Sequence, residues 1–96
     1  MKLGSIAHKG LRRLLERGDR SGLPPAFADK IEDMVAFLQA MGAEDELRVL
    51  TFWRPHQLSG DRAGDWSLTV SRNWRLTFRI DPDAGEIFNL DLEDYH

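Results

Sequence analysis

The chain has no cysteine, so its fold can draw on neither disulfides nor a thiolate-bound metal. It has no apolar run near the ~20 residues needed to cross a bilayer, and its first residues lack the apolar stretch of a signal peptide. Repeats, low-complexity tracts and linkers are missing too. Histidine is scarce: His8, His56 and His96 are the whole supply, and they show no short helical spacing of the kind that holds a metal ion. These absences predict a cytoplasmic protein with no membrane partner, no metal and no cofactor. The 96 residues do offer 42% hydrophobic content, enough for one modest core, and the expectation is a single domain over residues 1–96.

An excess of positive charge is also lacking, since the formal net charge is −3. Its distribution is uneven. Residues 1–28 carry six Lys/Arg against two acids and residues 48–80 again six against two, whereas 29–47 and 81–96 come to −5 and −6. Local potential decides what docks on a surface, so two basic segments remain open to an anionic partner. Plain solvation of helix and strand faces explains the same charges equally well.

The most strongly patterned stretch is Asp65–Ile80. Trp66, Leu68 and Val70 alternate with Ser67, Thr69 and Ser71; then Trp74, Leu76, Phe78 and Ile80 alternate with Arg75, Thr77 and Arg79. Period two means one buried and one wet face. A three-residue turn at Ser71, Arg72 and Asn73, with Asn73 left-handed, sets Val70 against Trp74 and Leu68 against Leu76. After turn residues Asp81–Gly85, the segment Glu86–Glu93 extends the pattern. Pairing Ile80 with Glu86 places Phe78 opposite Phe88, Leu76 opposite Leu90 and Trp74 opposite Leu92. The same register aligns Thr69, Arg75 and Asp91 in one row on the wet face.

Upstream, Leu3–Ile6 reads as a short strand weakened by Gly4. A helix from His8 to Arg17 groups Leu11, Leu14 and Leu15 and stops at Gly18. A second, entered near Pro25 and ending about Met41, lines up Phe27, Ile31, Met34, Leu38 and Met41. A helical turn is expected through Ala43–Leu47 and an extended segment from Val49 to Leu58, then a loop at Gly60–Gly64. The order predicts an α+β fold, β-α-α-β-β-β with room for one more strand, in which two N-terminal helices back an antiparallel sheet. Thr69, Arg75, Thr77, Arg79 and Asn89 are left on the uncovered face.

Cleavage of RNA by side chains alone needs a base for the 2′-hydroxyl proton, an acid for the leaving 5′-oxygen and a cation for charge growing on phosphorus. Histidine suits the first two tasks and arginine's planar fork the third. His56, Asp94, Tyr95 and His96 are the candidates for proton transfer and Arg75 for holding phosphate; Tyr95 can stack on a base. Each has a plainer explanation: a structural hydrogen bond for His56, a cross-strand ion pair of Arg75 with Asp91, a frayed tail for residues 94–96.

The strings Trp53-Arg54-Pro55-His56-Gln57-Leu58, Gly60-Asp61-Arg62-Ala63-Gly64-Asp65-Trp66, Asn73-Trp74-Arg75-Leu76-Thr77-Phe78 and Asp91-Leu92-Glu93-Asp94-Tyr95-His96 resemble the HigB, or killer-protein, branch of RelE/ParE-type toxins. His8-Lys9-Gly10-Leu11 and the Gly18-Asp19 loop fit as well. The resemblance implies a type II toxin that enters the ribosome and cuts mRNA during translation, neutralised by a HigA-like helix-turn-helix antitoxin. Operator DNA is then bound only through the toxin–antitoxin complex. It also implies that His56, Asp94, Tyr95 and His96 serve cleavage and that Arg75 contacts phosphate. Ser59 stands where many relatives carry lysine, so activity is expected to be weaker, or its cationic help to come from Arg54 or Arg62. Two alternatives stay open: a ParE-like inhibitor that binds a protein such as gyrase, and a non-toxic corepressor acting with its antitoxin.

Overall fold

Alternating side chains and two amphipathic helices account for the architecture in the computed structural model, which describes residues 1–94. The elements run β1 (Lys2–Leu3), α1 (Lys9–Arg17), α2 (Ala28–Ala40), α3 (Asp45–Val49), β2 (His56–Gln57), β3 (Trp66–Thr69), β4 (Trp74–Asp81) and β5 (Glu86–Asp94), with 3₁₀ turns at Pro25–Phe27 and Gly60–Arg62. The strands form one sheet in the order β1-β5-β4-β3-β2, antiparallel except where β1 runs parallel to β5. This is the α+β arrangement the sequence predicts. Among the described residues no helix is long and apolar enough to cross a membrane.

His8 caps α1, its Nδ1 accepting from the Leu11 amide at 3.2 Å, and Gly18 ends the helix in the left-handed region at φ 67°. Ile31, Met34, Val35 and Leu38 of α2 are buried with Leu11 and Leu47 against Trp66, Leu68, Leu76 and Phe78 of the sheet. Each such large side chain contributes on the order of 1.5–3 kcal/mol on leaving water. At Gly10 α1 packs so tightly on the following loop that a Cβ would sit 2.3 Å from the Gly22 carbonyl oxygen.

The β3–β4 hairpin has the expected register, with Leu68 opposite Leu76 and Thr69 opposite Arg75. Its turn differs in one detail: Asn73 is not left-handed, and the Ser71 hydroxyl instead accepts from the Trp74 amide at 3.2 Å. The β4–β5 register departs from expectation. Asp81, not Ile80, pairs with Glu86, and Ile80 pairs with Ile87; beyond a bulge, Leu76 pairs with Leu92 and Arg75 with Glu93. Asn89, at φ 55°, is the extra residue. The bulge turns Ile87, Leu90 and Leu92 inward and leaves Phe88 opposite Arg79 on the other face, so Phe88 is not a partner of Phe78. Alternation alone cannot register an inserted residue. The expected extended segment from Val49 to Leu58 is also corrected, because Val49 closes α3 and only His56–Gln57 is strand. Between them Trp53 (φ 62°) and Arg54 (φ 45°) are both left-handed.

Candidate active site

The sheet face turned away from the helices carries a cleft of about 200 Å³. Ligand sites for whole small molecules usually occupy about 300–1,000 Å³. A cleft of this size suits one link of a longer chain. Its floor is polar and buried, formed by Ser67 of β3 and Thr77 of β4, at 3% and 4% exposure. Thr69 and Arg75 rise beside them, and Glu93 of β5 closes the row that begins with Thr69. Arg54, His56, Leu58 and Arg62 form the rim contributed by β2 and its flanking loops. Three guanidiniums therefore face one carboxylate among the described residues, and the cleft is positive within an acidic chain.

His56 is placed by the unusual turn before it. The two consecutive left-handed residues, Trp53 and Arg54, reverse the chain, and the Trp53 carbonyl accepts from the Thr69 amide at 2.7 Å. His56 Nδ1 lies 3.0 Å from the Arg54 carbonyl oxygen. A carbonyl only accepts, so Nδ1 carries the proton in this contact and Nε2 keeps the lone pair in the neutral ring. That is the arrangement a general base needs.

Arg75 lies across from Thr69 and Glu93 on the wet face, as the alternation requires. Its Nη1 donates to the carbonyls of Ser71, Trp74 and Arg72 at 2.6, 3.2 and 3.3 Å, which fixes the guanidinium against the hairpin turn. The ion-pair partner expected across the strand, Asp91, is opposite Thr77 instead. Arg62 grips Glu93 through two parallel bonds, Nη1 to Oε1 at 2.9 Å and Nη2 to Oε2 at 2.6 Å, and its Nε reaches Asp65 at 3.3 Å. The Thr77 hydroxyl donates to Glu93 Oε2. Hydrogen bonding to Arg62, with Thr77 adding to it, holds the Glu93 carboxyl below the usual carboxylate range, while Glu93 in turn raises the Arg62 guanidinium.

Of the residues singled out in the sequence, His56, Arg54, Arg62 and Arg75 meet in this cleft. Asp94 pairs with Trp74 at the end of β5, on the face opposite Glu93, and is not among the cleft's lining residues. Tyr95 and His96 lie outside the described residues. Thr69 and Thr77, on the face that the alternation leaves uncovered, line the cleft too, and it adds Glu93, Ser67 and Leu58, which the sequence does not single out. The signal for Glu93 was present, since it lies two residues from Asp91 on the same face and only the register separates them.

Known proteins resemble this chain in sequence and in fold. The family model for the RelE-like toxin of the type II toxin-antitoxin system HigB matches residues 4–96. The endoribonuclease HigB of Proteus vulgaris is 43% identical over 94 residues, covering 96% of this chain and 97% of that protein. A YoeB/ParE toxin from Agrobacterium tumefaciens superimposes with a TM-score of 0.65 at 19% identity, over 100% of this chain and 99% of the other. The RelBE2 toxin-antitoxin complex of Mycobacterium tuberculosis gives 0.52 at 22% identity, over 93% and 91% of the two chains. The likeness to the solved toxins is one of fold, whereas the match of sequence spans nearly the whole chain, and by it the chain belongs to the HigB family of RelE-like type II toxins.

Proposed function

We propose that this chain is a ribosome-dependent endoribonuclease that cuts mRNA during translation in the cytoplasm and is held in check by a HigA-like helix-turn-helix antitoxin. The observation that carries the reading is the convergence of His56, Arg54, Arg62 and Arg75 over one polar floor. His56 Nε2 takes the proton of a ribose 2′-hydroxyl. The 2′-oxygen then attacks the adjacent phosphorus, and the bond to the 5′-oxygen breaks as that oxygen is protonated, leaving a cyclic phosphate and a 5′-hydroxyl. Arg75, pinned at the hairpin, and Arg54 neutralise charge on the phosphoryl oxygens as the transition state forms. The acid is drawn from Tyr95 and His96, two of the residues that the family resemblance implies serve cleavage, since Asp94 lies on the other face of the sheet. The HigB of Proteus vulgaris, named an endoribonuclease, supports the reaction class. Family membership and the toxin–antitoxin complexes among the structural relatives support an antitoxin partner. Operator DNA is bound through that complex.

Expression without the antitoxin should arrest growth and leave mRNA with new 5′-hydroxyl ends inside translated regions. His56→Ala and Arg75→Ala should each slow cleavage by about 100-fold or more, the scale of losing general base or anion stabilisation. Intact mRNA accompanied by loss of DNA supercoiling would replace this reading with the ParE-like one. Adding the purified chain to free and to translated mRNA separates ribosome-dependent cutting from unaided cutting.

A further inference from the structure

One feature of the cleft is left over by this mechanism, and the inference drawn from it rests on the RNase reading. Glu93 is the carboxylate that lines the cleft among the described residues, and the Arg62 fork holds both of its oxygens, at 2.9 and 2.6 Å. That parallel geometry is the one a guanidinium adopts on a phosphate. Thr77, on the floor, donates to one of the same oxygens. An internal anion therefore occupies donors that an entering phosphodiester would use.

A carboxylate surrounded by donors is a weak base, so proton abstraction is not what this residue offers. Arg62 is also built to change partners. Its Nε is tethered to Asp65 at 3.3 Å, and Asp65 is itself fixed by Arg79 Nε at 2.9 Å. The Nη atoms can release one anion and accept another while the guanidinium stays at the rim. The exchange needs no net change of partner charge when one phosphate oxygen anion replaces one carboxylate.

We propose that Glu93 is a built-in stand-in for a substrate phosphate: RNA enters by displacing the carboxylate from Arg62 and Thr77, and Glu93 sets how tightly the cleft holds the RNA backbone. The residue is a gate on the phosphate seat, distinct from the groups that move protons.

The test is binding of a short 2′-O-methyl oligoribonucleotide, which cannot be cut because its 2′-oxygen has no proton to lose, followed by fluorescence anisotropy with the full chain. Glu93→Gln should tighten binding by about tenfold, the scale of freeing charge-assisted hydrogen bonds. That gain should vanish when Arg62→Gln is added. Asp91→Asn removes the same charge from the same sheet face, and any gain it gives should survive Arg62→Gln, which separates partner exchange from the general loss of a negative charge. Melting curves verify that each variant is folded. If the parent binds but Glu93→Gln gives no gain, or a gain indifferent to Arg62, the gate is refuted and the RNase reading stands. If neither the parent nor Glu93→Gln binds RNA, the gate is refuted, and the RNase reading is decided separately by the mRNA ends left during translation.

Discussion

Arg54 shows how much the site asks of a single residue. Its φ of 45°, next to Trp53 at 62°, puts two side-chain-bearing residues in a backbone region that costs on the order of 1–2 kcal/mol each. The neighbours hold them there, through the Trp53 carbonyl on Thr69 and the Arg54 carbonyl on His56. His8 makes a second demand, because its unprotonated Nδ1 caps α1. Burial lowers its pKa below the usual value of about 6.5; Asp91 opposes the shift and Arg13 adds to it. With a depressed pKa the folded state binds fewer protons than the unfolded one, so this contribution is present above about pH 6.5 and is lost as pH falls through the folded value. Melting temperature followed downward from pH 8 should therefore drop more in the parent than in His8→Asn, whose side chain caps without titrating. Equal slopes would remove His8 from the account. Sequence alone places His8 at the helix start and Arg75 on the wet face, because capping position and alternation are local. It does not reveal the turn at Trp53–Arg54, which is imposed by tertiary hydrogen bonds.

At the level of elements, β5 explains why the hairpin is readable and its neighbour is not. Trp66, Leu68, Leu76 and Phe78 repeat every second residue without interruption, and the structure keeps that register. In β5 Ile87, Leu90 and Leu92 face inward, a spacing of three then two, and Phe88 offers a false continuation of the pattern. The register that plain alternation predicts also hides the partner of Arg62, since it sets Asp91 in the position Glu93 occupies. Asn89 has a purpose in this bulge: its amide donates to the Ser5 hydroxyl at 2.8 Å, and the Leu90 amide donates to the Ser5 carbonyl at 3.2 Å. Removing Asn89 would regularise the ladder, because Arg79–Phe88 and Thr77–Asp91 remain compatible on either side of the deletion. The expected outcome is a folded protein whose segment at residues 5–7 has lost its anchor. Hydrogen exchange should quicken at the Ala7 amide, now bonded to the Leu90 carbonyl at 2.8 Å, while β3 and β4 stay protected. Unchanged exchange at Ala7 would show that the bulge does not hold the N-terminal segment.

Across the whole molecule, core and site are arranged in separate layers. Helices and apolar side chains occupy one face of the sheet, and charge is concentrated on the other, where Asp65 joins Arg62 to Arg79 and Arg62 joins β5. The acidic balance of the chain thus coexists with a cationic cleft, as the segmental charges suggest. The layers differ in how firmly they are tied. Arg75 sits on the eight-residue β4, sealed between two neighbours, whereas His56 sits on the two-residue outer strand β2, paired through His56–Ser67 and Gln57–Trp66. An outer strand so short opens at a free energy well below that of global unfolding. Warming should consequently silence this toxin before melting it: RNA cutting should fade, and return on cooling, at temperatures where far-ultraviolet circular dichroism is still native. Coincident loss of the two signals would mean that the rim is as durable as the core. A short outer seam of the sheet thus runs beside the proposed base, and a mild rise in temperature should disarm the protein without destroying it.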